Sequence, residues 1–312
     1  MATYSIEPTT ATLHGCFSHE LPPVLTIDPG DNVRFKTLDA DWIIEFTATL
    51  EQNPETTADL GVRYSPQLPV RDEGHALCGP VAVRGAKPGM ALAVQINKVV
   101  PGRWGWGLPW FGAVVKSKKE VPVMVWSLDT VAMTARNQFG HTVALRPFMG
   151  VMGLALAEPG MHSTSPPRRV GGNMDCKELV AGSTLYLPIE VEGGLFSTGD
   201  GHGVQGDGES GGTAIECPMD LVDLTFDLVE QPLLPTPYAN TPAGWITLGF
   251  DEDLQKAHEQ ALNAMVTLIS QRMAISEKIA LTLCGVAVDL HVTQTVNGVR
   301  GVHAILPHGA IR

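Results

Sequence analysis

The sequence predicts a mostly β protein that ends in an α+β part, and three observations carry that reading. Thirty-three glycines and 23 prolines in 312 residues mark frequent turns, while 44% apolar and 17% charged residues allow a substantial core. Short β-prone runs alternate with turn signals through roughly the first 240 residues. Only from Asp251 does the apolar spacing become that of a helix.

The elements follow in order. "PPVLTIDPGDNVRFKTLDA" holds two β-prone runs around the turn signal Pro29-Gly30-Asp31. "PVAVRGAKPGMALAVQINKVV" repeats the design around Lys87-Pro88-Gly89, with Leu92, Val94 and Ile96 alternating after it. Two such units suggest a sandwich. "PGRWGWGLPWFG" places three Trp and one Phe among glycines, expected as an ordered loop pinned by its own aromatics, the other reading being a mobile flap near a pocket. "LVAGSTLYLPIEVEGGLFSTGD" carries two runs split by Glu192-Gly193-Gly194. "TAIECPMDLVDLTFDLVE" reads as a half-buried strand through Leu221, Leu224, Phe226 and Leu228. The proline-rich "QPLLPTPYANTP" is the best linker candidate. After it, Leu254, Ala257, Ala261, Leu262, Met265 and Ile269 share one helix face. A second helix is expected after a Ser276 cap, and a hairpin around Asn297-Gly298. The expected organisation is an N-terminal β-rich part over 1–120, a second β-rich part over 121–240 and an α+β part over 241–312, together one compact unit.

The bulk numbers also exclude. A net charge of −12 repels nucleic acid and anionic membranes alike, and the basic run "KSKK" is too short to reverse that. The five cysteines are scattered and none form CxxC, so no zinc ribbon or disulfide framework is expected. "MATYSIEPTT" lacks the charged and apolar regions of a signal peptide. The longest apolar run, "PFMGVMGLALA", is too short for a spanning helix, so a cytoplasmic location is expected.

The candidate site lies in "GDGHGVQGDGESGG", residues 199–212. Gly201 to Gly206 match GxGxxG, but a dinucleotide loop must open a helix, and the following Asp207-Gly208-Glu209-Ser210-Gly211-Gly212 disfavours a helix and repels a pyrophosphate. Asp200 and His202, spaced i, i+2, share a face in extended chain and are donors suited to a divalent ion. Asp207 and Glu209 repeat that spacing, Glu216 lies just downstream, and "GGNMD" places Asn173 and Asp175 in another glycine-marked loop. By composition alone, acids decorating exposed turns explain the pattern about as well.

The ordered string "GGNMD…GDGHGVQGDGESGGTAIE" resembles the signature of the acetamidase/formamidase family. The N-terminal "PPVLTIDPGDNVRFKTLDA", the segment "GPVAVRGAKPGMALAVQI" and the terminal "DLHVTQTVNGVRGVHAILP" resemble further family segments, so the similarity covers nearly the whole chain. Departures include Lys36, Ala82, Arg84, Gly203, Ser210 and Gly211. The resemblance implies a mostly β fold (a β-sandwich and barrel-like part) with a C-terminal α+β part. It also implies hydrolysis of a short amide to carboxylate and ammonia.

No GxSxG elbow is present and nothing marks a cysteine as an activated thiolate, so a water activated by a divalent metal is the economical nucleophile. By residue type and place in the family motif, Asp175, Asp200 and His202 are the expected ligands, of zinc first, with calcium as a structural ion. Glu216 is the expected proton-transfer group, with Asp207 or Glu209 in reserve. Asn173, Gln205, His75 and Asp39 are candidates for holding the substrate. The chain is expected to bind a small amide and to form a homodimer or larger homo-oligomer. A lactamase or larger-amide hydrolase on the same scaffold, and a non-catalytic metal- or ligand-binding β-protein, are the competing readings.

Overall fold

The computed structural model describes residues 1–109 and 122–312. The end of the aromatic segment, Trp110 and Phe111, and the lysine run at 116–119 lie outside the described residues.

Two sheets form the body. The larger has nine strands in the order Thr3–Ile6, Asn32–Thr37, Met219–Val229, Ala91–Pro101, Thr184–Pro188, Tyr238–Asn240, Gly244–Asp251, Arg300–Pro307 and Asp289–Gln294. The smaller runs Gly171–Asn173, Phe148–Leu154, Phe196–His202, Leu77–Val83 and Leu13–His14, with Leu25–Ile27 parallel beside Leu77–Val83. Their facing sides share one core. Phe196 of the smaller sheet meets Phe35 and Phe226 of the larger, with ring centroids 6.3 and 5.0 Å apart and all three rings buried. Leu224 and Phe226 are buried as expected, whereas Leu221 and Leu228 are only half-buried, and Val222 takes the buried place of Leu221 at a register shift beside Met219.

The end of the larger sheet is covered by α1 (Leu254–Met273), capped by the Asp253 carboxylate, and by α2 (Glu277–Ala287), capped by Ser276. Ala257, Ala261, Met265 and Ile269 bury one side of α1 against the sheet. Among the described residues no helix is long and apolar enough to cross a membrane.

The mostly β expectation holds, with the barrel-like part open: the nine-stranded sheet ends in two unjoined edges, Thr3–Ile6 and Asp289–Gln294. Two other expectations change. The proline-rich segment is not a free linker. It runs through bends at Leu233, Pro235 and Thr236 and then enters the sheet as Tyr238–Asn240, with Leu234 and Tyr238 buried. Trp104–Gly107 is a strand paired with Met124–Asp129, and Trp104 stacks on Phe46 with centroids 4.2 Å apart. These indoles are held by other elements rather than by one another.

For the site, the decisive strand is Phe148–Leu154. It pairs on one side with Gly171–Asn173 and on the other with Phe196–His202. Two loops distant in sequence thereby open on the same spot.

Candidate active site

The backbone sets the acids first. The Gly150 carbonyl accepts the amides of Met174 (3.1 Å) and Asp175 (3.2 Å), tying the "GGNMD" loop to the central strand. Asp175, Asp200 and Glu209 all sit at positive φ, 48°, 56° and 46°, a conformation sparse for residues other than glycine and concentrated at functional sites. Glu216 is brought in by paired backbone hydrogen bonds with Trp106, each 2.9 Å.

The side chains then converge. His202 Nε2 lies 3.2 Å from Glu216 Oε2, 3.4 Å from Asp200 Oδ1 and 3.9 Å from Asp175 Oδ1. His202 is 1% exposed, and Asp175, Asp200, Glu209 and Glu216 are all buried. Gly150 makes the convergence possible, since a Cβ there would lie 2.7 Å from both Asp175 Oδ1 and Asp200 Oδ2 and 2.9 Å from His202 Cε1. Together with Asn173, these groups line a cavity of about 240 Å³ walled by His75 and Trp106. Ala40, His75 and Trp106 also line a neighbouring cavity of about 580 Å³.

The hydrogen-bond ledger does not close. Asn173 Oδ1, Asp175 Oδ1, Glu209 Oε2 and Glu216 Oε2 are buried without a partner among the described residues. Each such group forfeits roughly 1–3 kcal/mol or more, so four in one cavity point to something the cavity is built to take in. Gln205 Oε1 lies 2.9 Å from His202 Nδ1, which donates to it, so Nε2 is the ring nitrogen left facing the carboxylates. Gln205 Nε2 donates in turn to the Asp175 carbonyl at 2.9 Å, and Asn297 Nδ2 donates to Asp175 Oδ2 at 2.5 Å.

Protonation follows from burial and crowding. Burial pushes Glu216 up to about 8 against the pull of His202, and Glu209 likewise up to about 8. Burial, with the charge of Glu209, holds Asp175 well above the usual carboxylate range. Asp200 goes the other way: burial opposes its charge, but His202 and His75 outweigh burial and hold it below the ordinary value. Burial also disfavours a charged His202, yet Glu216 and Asp200 overcome it and hold the imidazole well above its usual value. Four carboxyl groups around one imidazole call for protons or a cation. Asp175, Asp200 and His202 offer donor atoms within 4.8 Å of one another, as do His202, Glu209 and Glu216.

The remaining expected residues are placed as follows. His75 reaches the cavity wall and holds Thr164 Oγ1 at 2.8 Å. Asp39 stands behind the wall, where Oδ1 accepts the Ile43 amide and Oδ2 accepts the Trp106 indole N–H, both at 2.7 Å. Asp207 faces away from the cluster, toward Lys177 Nζ (3.0 Å) and His291 Nδ1 (2.9 Å). Sequence reasoning missed Gly150 and Asn297 as parts of the site, while Trp106 lies in the aromatic segment for which one reading was a flap near a pocket. Gly150 and Asn297 lie inside stretches already singled out, "PFMGVMG" and "QTVNGVR", but nothing in their spacing announced a contact with Asp175.

A sequence model of the Acetamidase/Formamidase family matches residues 3–163 and 156–241. The chain belongs to that family. It is therefore an amide hydrolase. It is 26% identical over 256 residues to the formamidase of Methylophilus methylotrophus, an alignment covering 63% of this chain and 59% of that protein. It is also 26% identical over 281 residues to the acetamidase of Mycolicibacterium smegmatis, covering 70% and 66%. The crystal structure of an acetamidase from Bacillus halodurans superposes with a TM-score of 0.82 at 27% identity, over 97% of each chain. A gamma lactamase from Delftia acidovorans shares the fold at 20% identity, with a TM-score of 0.62 over 97% of this chain and 92% of that one.

Proposed function

We propose that the protein is a metal-dependent hydrolase of short linear amides of the formamide and acetamide kind, releasing ammonia and a carboxylate. One observation supports the metal: four buried oxygens of Asn173, Asp175, Glu209 and Glu216, unpartnered among the described residues, line one cavity with His202. The one-imidazole, several-carboxylate donor set suits zinc. Asp175, Asp200 and His202 would hold the ion. When bound, it supplies Lewis acidity, favouring negative charge on the amide oxygen and acidifying water.

The chain's own groups do the rest. Gln205 fixes the His202 tautomer by accepting from Nδ1, and Asn297 holds Asp175 in place. Glu216 has one committed oxygen, Oε1, which accepts the Ala214 amide at 3.1 Å, and one free, Oε2. With its pKa near 8, Glu216 Oε2 can take a proton from the attacking water and return it to the departing nitrogen close to neutral pH. Glu209 is the reserve for that role. The free Asn173 Oδ1 is an acceptor for the N–H of a carboxamide. A cavity of about 240 Å³ favours a small substrate, since drug-sized ligands fill roughly 300–1,000 Å³.

The test is ammonia release from formamide, acetamide, longer amides and a cyclic amide, run beside elemental analysis. Chelated protein should lose activity and regain it with divalent metal. Full activity in verified metal-free protein would overturn the metal, and preference for the cyclic amide would overturn the substrate class.

A further inference from the structure

A second cluster of metal-type donors stands outside the cavity. Asp207 leaves the 203–216 loop on the side opposite to Glu209, while His291 and His303 are directly paired across the strands Asp289–Gln294 and Arg300–Pro307. The two imidazoles stack at 5.1 Å with planes 7° apart. One donor atom from each of the three residues lies within 4.8 Å of the others.

The cluster contains unfilled positions. His303 is 0% exposed; its Nδ1 is engaged by Thr293 Oγ1 at 2.7 Å, and its Nε2 has no partner among the described residues. Asp207 Oδ1 is also buried without one. A buried imidazole nitrogen left open opposite a hydroxyl-bound one is the arrangement found in metal-ligating histidines, whose second nitrogen is held by an outer group. Burial pushes His303 down to about 4, so the ring is neutral as a ligand must be. A cation already sits at the carboxylate, since Lys177 Nζ lies 3.0 Å from Asp207 Oδ2. Lys177 is 23% exposed in its side chain and can withdraw toward solvent. His291 is 35% exposed in its side chain and can turn onto an ion. Donors around one zinc lie about 3–4 Å apart, so the three need to close by well under ~2 Å.

We propose that Asp207, His291 and His303 form a second, structural site for a borderline transition-metal ion such as zinc. Two imidazoles and a carboxylate are a zinc donor set, whereas calcium and magnesium take oxygen. The ion ties the 203–216 loop to the C-terminal hairpin. Those two segments already touch, because the Gly208 amide donates to the Thr293 carbonyl and the Thr295 amide to the Gly208 carbonyl, each at 3.1 Å. Glu209 and Gln205 flank Asp207 by two residues each, so the ion anchors the segment that carries them. The inference does not depend on a metal at His202.

The experiment uses the full chain, stripped with a chelator and then loaded with Zn²⁺ alone. Zinc per chain is counted after gel filtration, and thermal midpoints are taken with and without zinc. His291→Ala, a partly exposed position, should bind one zinc fewer per chain than the natural protein, while His202→Ala keeps that ion. Zinc should raise the Tm of His202→Ala by about 5 °C, the scale of saturating a bound ligand, and leave His202→Ala/His291→Ala unmoved. If His202 holds no metal, the natural protein binds one zinc and His291→Ala none, so the two readings fail separately. His303→Asn should match His291→Ala if it folds. Equal zinc content and equal Tm shift in His291→Ala and the natural protein would overturn the proposal.

Discussion

Gly150→Ala is the sharpest probe of the site, because the three atoms nearest to the added Cβ belong to Asp175, Asp200 and His202. Gly150 lies in the strand Phe148–Leu154 without a positive φ, so alanine meets no backbone strain there. Its Cβ would stand 2.7 Å from Asp175 Oδ1 and from Asp200 Oδ2, where ordinary contact begins at 3.4 Å. Those two carboxylates must therefore retreat by about 0.7 Å, or the strand must move. A retreat into the cavity they line would break the Asn297 clamp on Asp175 and shift both carboxylates off their present positions. Overpacking of this kind costs about 1–3 kcal/mol, which for a chain of this size lowers Tm by roughly 2–10 °C. The catalytic loss should be larger, because misplacement approaching ~1 Å at reacting groups costs on the order of 10²-fold. Ammonia release from acetamide gives kcat/KM, and circular dichroism with thermal melting establishes that the variant is folded. A folded Gly150→Ala enzyme with kcat/KM within threefold of the natural protein would mean that the Asp175, Asp200 and His202 cluster is not where amides are cleaved.

His202→Ala should lose both metal and activity, whereas Glu216→Gln should keep metal and lose about 10²–10⁴-fold in rate; elemental analysis of the two folded variants, with the reverse result, would exchange their roles. Replacing Cys176 and Cys217 together by alanine should leave kcat within roughly tenfold, because burial pushes the Cys176 thiol up to about 12 and Cys217 higher still, so neither is a thiolate; a folded double variant at background rate would restore a thiol mechanism. Asp39 supplies a pH test. Burial pushes it up to about 7, above its unfolded value near 4, so the folded state binds the extra proton and this group makes the protein less stable as pH rises from about 4 through 7. The loss is on the order of 4 kcal/mol at most once pH exceeds 7. Asp39→Asn cannot ionise, so its Tm relative to the natural protein should improve between pH 5 and pH 8; a constant difference would show that Asp39 does not titrate there.

The sequence by itself determined the fold class, the change to helices after Asp251, the cap at Ser276, and the Asn297-Gly298 hairpin. These are local matters of period, capping and turn chemistry, each settled within a few residues of chain. It also brought Asp200 and His202 together, since both lie in one strand, Phe196–His202, where i, i+2 neighbours approach. The same spacing misled at Asp207 and Glu209. That segment is a turn with Gly208 and Glu209 at positive φ, and its two acids part, one to the cavity and one to the hairpin. Tertiary structure alone decided that Asp175 reaches His202, that Gly150 leaves room for the meeting, and that His291 faces His303. Each depends on strand pairing between residues 18 or more apart or on hairpin register, and a register slip of one residue would turn the paired strand residues to the other face.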